Sequence, residues 1–221
     1  ADGQLARLSG IKSKMGRIFD GLAGNIVFAS IYVHICLRFM AEGGSGWIFA
    51  LAAVAGVCHS FQSALADYYR NGYLHFVRGP KSGELDSSAG ILDEYHRLSW
   101  SRNFREKAML RFYLEHIREQ EMVSRKFLEL KTVVAARYGD AIPKHIRDNY
   151  RTASRPMIKY YNILTINTRI IALILFLLIG LPYLYFVFEL VVLNLLFVYV
   201  IIRQERISLS MLASLEGSTE A

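Results

Sequence analysis

The sequence predicts an all-α protein, a polytopic bundle of membrane-crossing helices with a helical segment outside the bilayer. Three observations carry that expectation. Apolar residues make up 53% of the 221 positions, more than the roughly 45–50% of ordinary soluble domains. They are gathered into runs as long as the roughly 20 helical residues that a bilayer requires. The basic residues behind a formal charge of +7 fall largely outside those runs.

The first run, residues 18–40, is interrupted by Asp20, Asn25, His34 and Arg38. The second, 47–65, is rich in Ala and Gly, and its helix can continue through Tyr69. The third run, 163–202, is about twice the length of one span. Gly180-Leu181-Pro182 near its middle stops a helix and favours a tight turn. The run therefore divides into 163–181 and 183–202, a hairpin of two spans, and the aromatic residues of 183–188 read as an interfacial belt. Four spans are visible.

Loop charge orients them. The connector 41–46 (AEGGSG) and the turn 180–182 contain neither Lys nor Arg. Arg7, Lys12, Lys14 and Arg17 precede the first span, Arg203 and Arg206 follow the last, and 70–159 is rich in both residue types. By the positive-inside rule the start, the middle segment and the C-terminus are cytoplasmic, which predicts an integral protein of the cytoplasmic (inner) membrane. The expected organisation is 1–80, two spans with the candidate motif; 81–160, a cytoplasmic amphipathic segment; 161–206, the hairpin; and 207–221, a tail.

Within the middle segment, 103–138 reads as one long helix, with Leu110, Leu114, Ile117, Val123, Phe127, Leu130 and Val134 on its apolar side and Gly139 just past its end. Its charges are of both signs, which suits a solvated helix packing on its own neighbours; binding to anionic lipid through Arg and Lys is the sharper alternative. Cys36 and Cys58 lie inside apolar runs and read as small buried hydrophobes rather than a disulfide framework or zinc site. Positive-inside loops account for the pI of 9.4, so nucleic acid is not an expected partner. No signal-peptide pattern is visible, and the chain reads as a portion of something longer.

The chemistry concentrates at the start, ADGQLARLSGIKSKMGRIFDGLAGN. Residues four apart on a helix share a face, which pairs Asp2 with Ala6 and aligns Gly16, Asp20 and Gly24. Carboxylates suit Mg²⁺ or Mn²⁺, which prefer oxygen ligands, and Gly and Ala let a bulky group approach the backbone. An acid at the end of a membrane helix is costly, which makes Asp20 a candidate ligand for a metal-bound phosphate. Gly and Asp are common at helix starts, but six such positions coincide by chance only about once in ten million starts.

The spacing DG-x2-AR-x8-G-x3-D, carried by Asp2, Gly3, Ala6, Arg7, Gly16 and Asp20, resembles the signature of the CDP-alcohol phosphotransferase family, D-x2-DG-x2-AR-x8-G-x3-D-x3-D. The match covers about the first 25 residues; the four spans resemble the last four of that family's six. The resemblance implies that Asp2 and Asp20 are ligands of a two-cation Mg²⁺ or Mn²⁺ centre. Gly3, Ala6 and Gly16 would line a cytidine pocket, and Arg7 would hold the site together or meet the phosphates. The implied reaction is attack by an alcohol hydroxyl on the phosphate of a CDP-linked donor, expelling CMP. The first acid of the signature would precede Ala1. The last, the family's expected general base, is replaced by Gly24, which can neither accept a proton nor bind a cation. That leaves an engineered substitution, a natural variant with its base elsewhere, or an inactive relative.

His34 is about 15 Å beyond Gly24 along the helix, too far to substitute. His59, Gln62 and Asp67 place polar groups in the second span, where they should face a cavity or a partner helix. His59 reads first as a packing residue and second as part of an acceptor site lined by this span. Asp67 and Arg70 are spaced for an ordinary ion pair. Asn167 and Arg169 open the third span; Arg169 reads as snorkelling to the interface, or else as contacting an anionic phosphate. Glu189 suggests no role.

The leading expectation is a phospholipid-synthesis enzyme transferring a phosphatidyl group from a CDP-linked lipid to inositol, inositol phosphate, glycerol phosphate or serine. Alternatives are transfer of a CDP-linked head group to a lipid hydroxyl (diacylglycerol or ceramide-like), and a catalytically impaired relative that binds nucleotide-lipid or acts as a scaffold. A transporter is disfavoured, because the spans show no paired charges along a pore-like line. Membrane lipids are expected partners. So is a second copy, because homodimers resemble the family's habit and the Ala/Gly-rich second span permits close packing.

Overall fold

A computed structural model describes residues 14–79, 82–83 and 85–217, with side chains over 23–216. Helix accounts for 84% of the described residues, which contain no strand, so the all-α expectation holds. Among the described residues four stretches are long and apolar enough to cross a membrane: Ala23–Ala41, Ile48–Arg78, Lys144–Leu178 and Leu184–Glu216. Their outer surfaces are apolar, with Ile26, Leu37, Val54, Ile171, Leu178 and Leu195 all exposed. Such side chains are at home against lipid, and helices satisfy their own backbone groups there.

Helix α1 (Lys14–Ala41) leads through a turn into α2 (Ile48–Arg78). The turn needs Gly43, whose φ is +89°, a region that costs other residues free energy. The two helices pack through Phe28, Tyr32, Ile35 and Cys36 against Ala52 and Ala55, where small residues let the backbones approach. At 31 residues, about 46 Å, α2 is longer than the bilayer is thick, and its far half enters a second core.

The middle segment forms α3 (Ser88–Arg97), α4 (Phe104–Val123), α5 (Arg125–Tyr138) and α6 (Lys144–Ser154), of which α5 and α6 supply buried residues to that core. Phe127, Leu130 and Val134 of α5 and Ile146 and Tyr150 of α6 pack on Tyr69 and Phe76 of α2. The single helix expected over 103–138 is instead two. Ser124 takes φ −119°, ψ 54°, and the Glu205 carboxylate accepts from the backbone N–H of Lys126 and Phe127 at 2.8 and 3.2 Å. An acid 79 positions away thus supplies the acceptors that begin a new helix. Gly139 does end α5, at φ +55°.

A 3₁₀ turn at Arg155–Met157 joins α6 to α7 (Ile158–Ile163), and a short break precedes α8 (Ile166–Leu178). The expected turn follows, with Gly180 at φ +77°. The return span is α9 (Leu184–Val187), a π-helical stretch Phe188–Leu193, and α10 (Asn194–Gly217). Beyond the apolar run α10 stays helical, because Ile207, Met211, Leu212 and Leu215 bury themselves in the second core.

Candidate functional site

The motif helix is α1. Asp2, Gly3, Ala6 and Arg7 lie outside the described residues. Gly16 and Asp20 fall within α1, Asp20 one turn before Gly24; the surroundings of the Asp20 side chain lie outside the description. At Gly24 an added Cβ would have no neighbour within 4 Å. Among the described residues nothing occupies the space that a side chain at this position would enter.

One residue further on, a groove of about 350 Å³ opens between α1 and α2, lined by Asn25, Phe28, Tyr32, Gly56, His59 and Ser60 among others. Phe28 and Tyr32 follow Gly24 at successive steps of four, so Gly24 and the groove share one helix face. The His59 ring is 6% exposed. Phe28 tilts over it at 4.4 Å between centroids, and Nδ1 meets the Tyr32 hydroxyl at 3.3 Å. The groove is apolar apart from Asn25, His59 and Ser60, with Tyr32 turned to the histidine.

Behind it lies a buried polar network. The Tyr32 and Tyr185 rings are 5.8 Å apart, and the Tyr185 hydroxyl donates to Glu189 Oε2 at 2.8 Å. Glu189 pairs with Arg169 at 3.3 Å, both side chains fully buried. Arg169 also donates to Gln62 Oε1, to Ser63 Oγ at 3.2 Å and to the Leu164 carbonyl. Gln62 in turn donates to Asn194 Oδ1 at 2.9 Å.

These contacts revise several expectations. Arg169 neither snorkels nor reaches out to an anion; buried in lipid-level protein, its charge needs a partner and finds one in Glu189. Glu189, which suggested no role, is that partner. The spans therefore do hold a buried charge pair, though a cross-link rather than a line. Of His59, Gln62 and Asp67, only His59 reaches the groove. Gln62 belongs to the arginine network, while Asp67 pairs with Arg70 at 3.1 Å as its spacing suggested. The pairing of Arg169 with Glu189 had a readable signal: the two charges stand eleven residues before and nine after Gly180, hence at similar depth on the two arms of a hairpin.

Among the described residues no group of three His, Cys, Asp or Glu side chains is placed to hold a metal ion. The two acids expected as ligands, Asp2 and Asp20, are oxygen donors of the kind hard divalent cations take. Comparison with family models, curated proteins and solved structures finds no match.

Proposed function

We propose that the chain is the catalytic part of a membrane-embedded phosphotransferase that moves a phosphatidyl group from a CDP-linked lipid to an alcohol hydroxyl, releasing CMP. The observation that carries this reading is the groove beside Gly24: it offers space for an acceptor on the helix face that follows from Gly24, with one imidazole ring in its wall. In this reading Gly3, Ala6 and Gly16 let the nucleotide approach the backbone, and Arg7 meets the phosphates. Asp2 and Asp20 would hold Mg²⁺ or Mn²⁺, whose charge when bound offsets that of the transferring phosphate. The protein acts as a homodimer in the cytoplasmic membrane.

The acceptor oxygen attacks the donor phosphorus, the bond from phosphorus to the CMP oxygen breaks, and CMP leaves with the electron pair. The hydroxyl proton must pass to a base. Gly24 has no atom for it. His59 takes that part: with the ring proton on Nδ1, donated to the Tyr32 hydroxyl, Nε2 is left to accept the acceptor's proton. The acceptor is a polar alcohol such as inositol, inositol phosphate, glycerol phosphate or serine.

Gly24 also favours a second reading, a relative that binds CDP-linked lipid without turning it over. CMP release separates the two, measured with reconstituted protein, CDP-diacylglycerol, a panel of alcohols and Mg²⁺ or Mn²⁺. Release by the unaltered chain supports the enzyme. Release only by Gly24→Asp, which the open space at that position accommodates, supports the silent binder. No release by either protein with any acceptor overturns the phosphotransferase assignment.

A further inference from the structure

Helix α4 buries Leu110, Leu114 and Ile117 against Ile91 of α3, and Gln120 Nε2 donates to the Ala64 carbonyl of α2 at 2.9 Å. Other positions along it expose large apolar side chains, which water does not favour. Phe104 and Phe112 are each 64% exposed and Met122 60%. Trp100, just before the helix and 47% exposed, lies 5.7 Å from Phe104 between ring centroids. Phe104, Arg111, Glu115, Arg118 and Met122 follow one another at helical spacing and share a face. Exposed Arg102 and Arg105 flank its start. Glu115 holds Arg111 and Arg118 at 3.0 and 3.3 Å, keeping both guanidinium groups on that face. From 97 to 125 there are seven basic and four acidic residues.

The depth of this face follows from Ala64. It stands sixteen residues into α2, about 24 Å from the start of that helix and so within the roughly 30 Å of the hydrocarbon core. Measured from the start of α2 as one hydrocarbon boundary, the end of α4 meets the bundle about 6 Å inside the other. From Gln120 α4 extends about 24 Å back to Phe104. Large apolar side chains interleaved with arginine suit one environment at that level, the surface of a leaflet containing anionic lipid.

We infer that α4 lies in the plane of the membrane surface, with Trp100, Phe104, Phe112 and Met122 in the upper acyl region and Arg102, Arg105, Arg111 and Arg118 on anionic headgroups. This holds whichever reaction the motif supports.

Tryptophan fluorescence tests it, because the chain has two tryptophans and the other, Trp47, is 59% exposed in a turn. Trp47→Phe makes Trp100 the sole reporter. The protein is reconstituted into phosphatidylcholine vesicles, with or without phosphatidylglycerol, containing phosphatidylcholine brominated high on its chains. Blue-shifted emission quenched by the brominated lipid is expected, with stronger quenching when phosphatidylglycerol is present. Adding Arg105→Gln, Arg111→Gln and Arg118→Gln is expected to abolish that increase. Emission at the position of water-exposed tryptophan, quenched by aqueous iodide and not by brominated lipid, overturns the inference and leaves the face to a protein partner. Quenching that is the same with and without phosphatidylglycerol overturns it too.

Discussion

Arg169 Nη2 lies 3.3 Å from Glu189 Oε1, and neither side chain is exposed. Nε adds a second contact to Oε2 at 3.3 Å, while Tyr185, Gln62, Ser63 and the Leu164 carbonyl occupy other positions around the pair. The ion pair joins α8 to the returning span and, through Gln62 and Ser63, both to α2. Its role is to register three helices at one depth.

Removing one partner leaves an uncompensated buried charge. Glu189→Leu is expected to destabilise the protein by about 3–5 kcal/mol, and Arg169→Leu/Glu189→Leu by much less, since replacing both charges with apolar groups is often neutral. Thermal unfolding in detergent across the double-mutant cycle checks this; additive losses would contradict a coupled pair.

Glu205 caps α5 from the end of the last span. Glu205→Ala is expected to cost about 1–2 kcal/mol, the range of a lost N-terminal cap. Hydrogen exchange at the Lys126 and Phe127 amides should rise first, ahead of exchange in the rest of α5.

A Cβ added at Gly72 would stand 2.3 Å from Phe127 Cζ. The Phe127 ring is fully buried against Tyr68, Tyr69 and Phe76, so it has little room to yield. Gly72→Ala is therefore expected to destabilise by about 1–3 kcal/mol despite favouring helix. A denaturation midpoint equal to that of the unaltered protein would refute the close approach.

Burial holds the His116 pKa below its ordinary 6.5, with the Asp67 carboxylate opposing. Between the lowered folded value and 6.5 the unfolded chain binds more protons. The stability associated with neutral His116 is thus complete above about pH 6.5 and is lost as the pH falls through that window. His116→Gln should flatten this part of the stability profile, read as the difference from the unaltered protein. An unchanged slope would show that His116 is not responsible.

If His59 takes the acceptor proton, His59→Gln should lower CMP release by about 10²–10⁴-fold, the usual contribution of a general base. It should also remove the acidic limb of the rate profile while leaving binding of the CDP-linked donor unchanged. Equal loss of rate and donor binding would instead mark His59 as a packing residue.

Much of this was legible from residue order because it rests on local physics. Span length follows from bilayer thickness, and the hairpin follows from Gly180, where a positive φ suits glycine and Pro182 discourages continuation. The absence of an acid at position 24 needs no structure to be seen. The groove beneath it was not legible, since its walls come from two helices whose relative rotation depends on how Phe28 and Tyr32 seat against Ala52 and Ala55.

By itself, then, the sequence determined four apolar helices, the hairpin turn and a start in which acids and small residues recur at helical spacing. Only the tertiary structure decided the break at Ser124, the union of Arg169 with Glu189 and the place of His59 in the groove. Each of these depends on a partner far along the chain: Glu205 for α5, Glu189 across the hairpin, Tyr32 from the neighbouring span. Local propensity cannot choose such partners; buried charges and orphan backbone donors do, when the packed helices bring an acceptor within hydrogen-bonding reach.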